Sequence, residues 1–271
     1  MITTRDQLID SLANKSSRIV IDKGSLGSTT VGGYHSLWRA TGTPAQAALP
    51  TAAAIPTNAT VGALNFEQQT APATSYLGHM YATSSNNAMA LEIRDRVGHM
   101  GGLSGTVVTA QNVGLDLLTL GLPAARRGDA NFSDVQWFLE WFADTGATAS
   151  NATINVTYDD GSVGNLALIA VGATVRNSRM LPLNPAANGR YIRGVNTVTL
   201  SASTATAGNF GVTATRMRAV IPMPLANFTT VMEWAQLGLP EVPNDACLML
   251  NVITSTTTTG TLRAGGKLIH G

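Results

Sequence analysis

The segment Ala152-Thr153-Ile154-Asn155-Val156-Thr157-Tyr158-Asp159-Asp160-Gly161-Ser162-Val163 limits the possible folds more than any other. Ile154, Val156 and Tyr158 fall on one face of an extended chain, and Thr153, Asn155 and Thr157 fall on the other. Asp160-Gly161 supplies the positive-φ residues of a tight turn, so the segment predicts a hairpin whose returning strand occupies 164–171. The same two-residue period returns at 18–22, 90–97, 105–110, 195–202, 210–220, 248–254 and 261–269. Many short strands separated by turn residues predict a mainly β chain, an antiparallel β-sandwich or jelly-roll-like fold.

Residues 133–143 are ambiguous between helix and strand. Trp137, Phe138, Trp141 and Phe142 favour strand, Gly146 follows closely, and large apolar groups on both faces predict a central position. Gly98 to Gly105 reads as a turn between two strands. Two short helices are expected. In the first, Thr4 caps and Gln7 reaches back, with Ile9 and Leu12 at helical spacing. In the second, Thr230 caps with Glu233 at the third position, and Gly238 and Pro240 stop the helix.

Between Gly24 and Asn87 the chain is rich in Pro, Ala and Thr and poor in charge. Its prolines remove amide donors and disfavour helix, so it is expected to be extended. The predicted organisation is an N-terminal helix and first strand at 1–23, an extended arm or loop region at 24–87, and a β-sandwich body at 88–271 that either stands alone or forms one domain with 1–87. The arm carries Trp38, Pro44, Pro50, Ile55, Pro56, Leu64 and Phe66, apolar groups that need cover. They are the candidate interface, against this domain or a neighbouring subunit. Leu120-Gly121-Leu122-Pro123 recurs as Leu237-Gly238-Leu239-Pro240, which leaves an internal duplication open.

Catalytic chemistry finds little support. His35, His79, His99 and His270 share no ligand spacing with each other or with Cys247, so no metal site is expected. Cys247 lies in an apolar run without basic neighbours, which predicts an inert buried thiol. Glu140 and Asp144, four residues apart on one strand, would be roughly 13 Å apart, too far for a glycosidase pair. No phosphate loop or nucleophile elbow is present. The expectation is a non-enzyme with no catalytic residues and no cofactor.

Composition supplies the remaining constraint. Charged residues make up 12% of the 271, and the net charge is +1. That is about half the usual charged fraction of about 25%. Near-neutrality removes the basic footprint of a nucleic-acid binder, and no apolar run is long enough for a membrane helix. The polar start with two acids is wrong for a signal peptide. A charge-poor surface covered in Thr, with nine Met and four Trp in the chain, suits a protein enclosed by copies of itself or by a scaffold.

Three segments carry a resemblance: Ser36-Leu37-Trp38-Arg39-Ala40-Thr41-Gly42-Thr43-Pro44, the stretch 95–106 beginning Asp95-Arg96-Val97-Gly98-His99, and the stretch 136–148 beginning Gln136-Trp137-Phe138-Leu139-Glu140-Trp141. They resemble tailed-bacteriophage virion structural proteins, notably those that coat or decorate the head. The resemblance implies a β-rich homo-oligomer, a trimer, located in the virion after assembly in the host cytoplasm. It would bind the major capsid protein or other virion proteins, and neither nucleic acid nor membrane. The function implied is that of a capsid decoration (cement) protein. A tail, collar or fibre-attachment protein is the alternative within the particle. An alternative of another class is a carbohydrate-binding β-sandwich module with Trp137, Trp141 or Tyr158 as stacking platform.

Overall fold

The computed structural model describes residues 1–184 and 189–271. In chain order the elements are α1 (Arg5–Asn14), β1 (Ser16–Lys23), β2 (Gly33–Ser36), β3 (Gly42–Thr43), β4 (Ser75–Ser84), β5 (Met89–Ser104), β6 (Gln111–Asp116) and α2 (Ala124–Arg127). They continue with β7 (Gln136–Trp141), β8 (Ala149–Tyr158), β9 (Val163–Asn165), β10 (Ile169–Gly172), β11 (Arg179–Leu183), β12 (Ile192–Leu200) and β13 (Asn209–Met223). The last are β14 (Thr230–Glu233), α3 (Trp234–Leu237), β15 (Glu241–Val242), β16 (Leu248–Thr254) and β17 (Leu262–His270). The chain is mainly β and its described strand pairs are antiparallel, which is the sandwich or jelly-roll class that the alternating segments predict.

Two units divide the chain. One comprises residues 1–48, 57–95 and 217–271, and the other comprises 49–56 and 96–216. These boundaries differ from the breaks expected after residues 23 and 87. Both long strands, β5 and β13, pass from one unit into the other without interruption.

In the first unit a sheet runs β14-β4-β17-β1-β3, with β15 also pairing with β4. Ile19, Ile21, Met80, Ala82, Ala264 and Leu268 point inward from it. They meet Leu91, Ile93, Leu248, Leu250 and Val252 of β5 and β16 in one buried cluster. In the second unit β10-β8-β12-β6 form one layer, and β9 pairs with β8. Ile154, Val156, Val195 and Val198 of that layer pack with Trp137, Leu139, Trp141, Phe210 and Val212 of β7 and β13. The Trp141 ring stacks on Phe210 with centroids 4.3 Å apart. Strand β7 lies between β11 and β13, so the strand reading of 133–143 and its central position both hold.

Several local expectations need correction. Gly98 to Ser104 is no turn: β5 runs through it for 16 residues. Ala54 pairs with His99 in both directions, each amide donating at 3.0 Å, and a side chain at Gly101 would collide with the Pro50 carbonyl. Gly101 thus admits a neighbouring backbone. The strand expected at 105–110 begins instead at Gln111. The returning strand of the 152–163 hairpin is split into β9 and β10, with Gly161 at φ +86° in the turn.

Thr4 accepts from the Gln7 amide and the Gln7 side chain reaches back, as expected for α1. The second capping box is misplaced in the sequence reading. Thr230 to Glu233 pair with β4 as a strand, and Glu233, paired with Gln236, caps a single helical turn ended by Gly238 at φ +75°. Gly121 has the same φ of +75°, so the recurring Leu-Gly-Leu-Pro phrase marks a common turn.

The expected arm is not a detached element, since residues 24–87 contain β2, β3 and β4. Its irregular part is held down by hydrogen bonds. The Ala47 amide donates to the Trp38 carbonyl at 3.0 Å, and the Leu64 amide to the Leu248 carbonyl at 2.8 Å.

Candidate assembly surface

The candidate interface residues are largely consumed inside the chain. Trp38 is 2% exposed, and Pro44, Pro50, Pro56, Leu64 and Phe66 are buried. Ile55 is half-buried and packs against the core of the second unit. These residues need cover, as expected, but they find it in their own units. Most of their apolar area is therefore covered within the chain. Trp137, Trp141 and Tyr158 are buried as well, which removes the sugar-stacking platform. Cys247 is buried, and its amide donates to Asp95 Oδ1 at 2.9 Å. Among the described residues no cluster of His, Cys, Asp and Glu could hold a metal ion.

Glu140 and Asp144 do not act together. Glu140 lies in a closed cluster with Arg96 Nη2 at 2.7 Å and the Thr213 hydroxyl at 2.5 Å. Asp144 faces solvent beside Arg176 at 3.2 Å. Arg96 Nε donates to His99 Nδ1 at 3.0 Å, so that nitrogen carries no proton. Burial, aided by the Arg96 charge, pushes the His99 pKa down to about 3. Arg126, also buried, ties this region together by donating to the Pro56 carbonyl at 2.8 Å and the Arg96 carbonyl at 2.9 Å. Every polar group in this cluster is occupied by its neighbours, which is the arrangement of a structural clasp.

One surface with exposed apolar area in register is the outer face of the β14-β4-β17-β1 sheet. Register places Val231 beside Tyr81, Tyr81 beside Gly265, and Gly265 beside Val20. Val231, Tyr81 and Val20 are 47%, 43% and 62% exposed. The Tyr81 ring lies over Gly265, where an added Cβ would stand 2.6 Å from the phenol oxygen. The result is an apolar row about 14 Å across, spanning four strands.

Charged rows flank it. On one side stand Glu233, His79, Lys267 and Arg18, with His79 Nε2 3.6 Å from Glu233. On the other stand Thr83, Arg263 and Asp22, the last two 3.7 Å apart.

Beyond Val20 the row opens into a groove of 480 Å³ lined by Arg18, Val20, Pro44, Val61 and Leu64. Its wall is fixed from below by Lys23, whose ammonium is buried and donates to the carbonyls of Ala40 at 3.0 Å and Pro44 at 2.6 Å. Among the described residues no carboxylate is paired with it, and burial lowers its pKa to about 8. The sequence reading missed this face. Its signal was present as the solvent-side positions of β1 and β4, Arg18-x-Val20-x-Asp22 and His79-x-Tyr81-x-Thr83, but their alignment depends on strand order.

No protein-family model matches the chain. No curated protein matches it either. Among solved structures it is similar to a subviral particle of infectious bursal disease virus VP2, at 10% identity over 94% of this chain and 79% of that chain, with a TM-score of 0.19. It is also similar to T=1 particles derived from infectious bursal virus, at 9% identity over 94% of this chain and 77% of that one, with a TM-score of 0.18. TM-scores this low carry no argument about fold or function. No described helix is long and apolar enough to cross a membrane.

Proposed function

We propose that this chain is a structural component of a virus particle, and within that class a capsid decoration (cement) subunit of a tailed phage. The observation that carries the reading is the outer sheet face of the first unit. An exposed Val-Tyr-Val row there crosses four strands in a chain with 12% charged residues. An apolar surface rimmed by charge is the usual anatomy of a contact patch. The chemistry-bearing residues fit the same reading, because Glu140, Arg96 and His99 are spent on one another. On this reading the protein is not an enzyme, forms homo-oligomers, with a trimer as the expected state, and resides in the virion against the major capsid protein. Each copy would add interface energy to the shell.

The phrase resemblance of 36–44, 95–106 and 136–148 to phage particle proteins supports the finer assignment. Cryo-electron microscopy of the parent particle, with copy number from quantitative gels, tests it. Hundreds of copies on the shell are expected. About a dozen at the neck or tail would favour a collar or tail protein, and absence from the particle would end the reading.

A further inference from the structure

We propose that the Val231–Tyr81–Gly265–Val20 face binds a second copy of this chain about a two-fold axis lying along the strands, between β4 and β17. The inference rests on the reading of this face as an assembly surface and names its occupant. An isologous contact requires a patch that complements itself.

Rotation about that axis keeps each row in place and reverses the strand order. Strand β14 then faces β1 of the second copy, and β4 faces β17. In the apolar row Val231 meets Val20 of the second copy, and the Tyr81 ring meets the position where Gly265 has no side chain. In the flanking row Glu233 meets Arg18, twice per contact because of the symmetry. In the third row Thr83 meets Arg263, whose charge is already matched by Asp22. The pairing without complementarity among these is His79 with Lys267, and Glu233 stands 3.6 Å from His79 beside it.

An axis across the strands would instead set Lys267 against Arg263 of the second copy and Tyr81 against Tyr81, a like-charge contact and a clash of rings. Aligned face-to-face packing of twisted sheets is also a common geometry. Four strands and three rows bury less than a standard interface of about 1,600 Å². The contact is therefore weak for one pair and effective when repeated across an array of copies.

The test uses a charge introduced at each end of the apolar row. Val20 and Val231 are three strand spacings apart in one chain, about 14 Å, so groups placed there cannot pair within it. In the dyad contact they face each other. Sedimentation equilibrium of the full chain, from micromolar to millimolar concentration, should show a two-fold association step. V20K and V231E should each weaken that step about tenfold or more, since each sets a lone charge against a valine. The double variant V20K/V231E should recover it. Circular dichroism confirms folding of each variant, and R18E with E233Q serves as an independent pair at the rim.

Two results overturn the inference: no association step at any concentration, or single-variant losses that the double variant fails to repair. If V20K lowers incorporation into particles while self-association is absent, a different particle protein covers the face. The dyad is then refuted and the virion reading stands. If the rescue holds but the protein is missing from particles, the virion reading falls and the dyad stands.

Discussion

Arg96 Nη2 on β5 lies 2.7 Å from the carboxylate of Glu140 on β7, two strands away in the same sheet across β13, and neither side chain is more than 1% exposed. The Thr213 hydroxyl bonds to both, at 3.0 Å from Arg96 and 2.5 Å from Glu140. Removing one member strands a buried charge. E140A should therefore lower unfolding free energy by about 3–5 kcal/mol. The double variant R96M/E140L should recover most of that, because it leaves no charge to strand. Chemical denaturation of the three proteins checks both statements.

His99 gives the protein an acid-side sensitivity. Its folded pKa is pushed down to about 3 from 6.5 by burial and the Arg96 charge. Between those values the unfolded chain binds the proton that the folded chain refuses, so stability falls as pH drops from about 6.5 toward 3. H99Q, which keeps an acceptor for Arg96, should flatten this part of a stability-versus-pH curve. An unchanged slope would assign the acid sensitivity to other groups.

Lys23 acts at the other end of the pH range. Its folded pKa of about 8 lies below the ordinary lysine value of 10.5, again through burial. The unfolded chain holds more protons between those values, so stability rises as pH climbs from about 8 to 10.5. K23M should abolish the rise. It also removes the two bonds to the Ala40 and Pro44 carbonyls, so amide exchange in 40–44 should quicken.

Tyr81 and Gly265 depend on each other. G265A would place a methyl 2.6 Å from the Tyr81 oxygen and 2.9 Å from the Ile19 carbonyl, and should cost about 1–3 kcal/mol. In a Y81A background the clash with the ring is gone and the cost should shrink. A double-mutant cycle from urea unfolding reads the difference directly.

The sequence disclosed the strands well where one face is apolar and the other is wet. Strands β1, β16 and β17 fall within a residue or two of their alternating segments, β8 starts three residues early, and the Thr4–Gln7 capping box stands where the pattern places it. It failed where pairing partners lie far along the chain. In 90–97, Glu92, Arg94 and Arg96 occupy the positions that alternation assigns to solvent, yet all three are buried. Glu92 and Arg94 pair at 2.7 Å, and Arg96 pairs with Glu140. Nothing local announces such a partner. Gly101 misleads for the same reason, since the residue that needs its missing side chain is Pro50.

The arm residues show the limit from the other side. Trp38, Leu64 and Phe66 were correctly read as needing cover, but composition cannot say whose surface provides it. The outer face of β14-β4-β17-β1 was invisible because its row is assembled from residues 20, 81, 231 and 265, and only the register joins them.

Strand β17 follows every other strand in the chain and is inserted between β1 and β4, at the middle of their sheet. During synthesis, that sheet cannot close until residues 262–270 have left the ribosome. A polypeptide that stops before residue 262 would lack Gly265 and the central ladder, and would leave β1 and β4 with no strand between them. Residues far apart in the chain thus share one late-arriving partner, and the sheet forms in one step when it arrives.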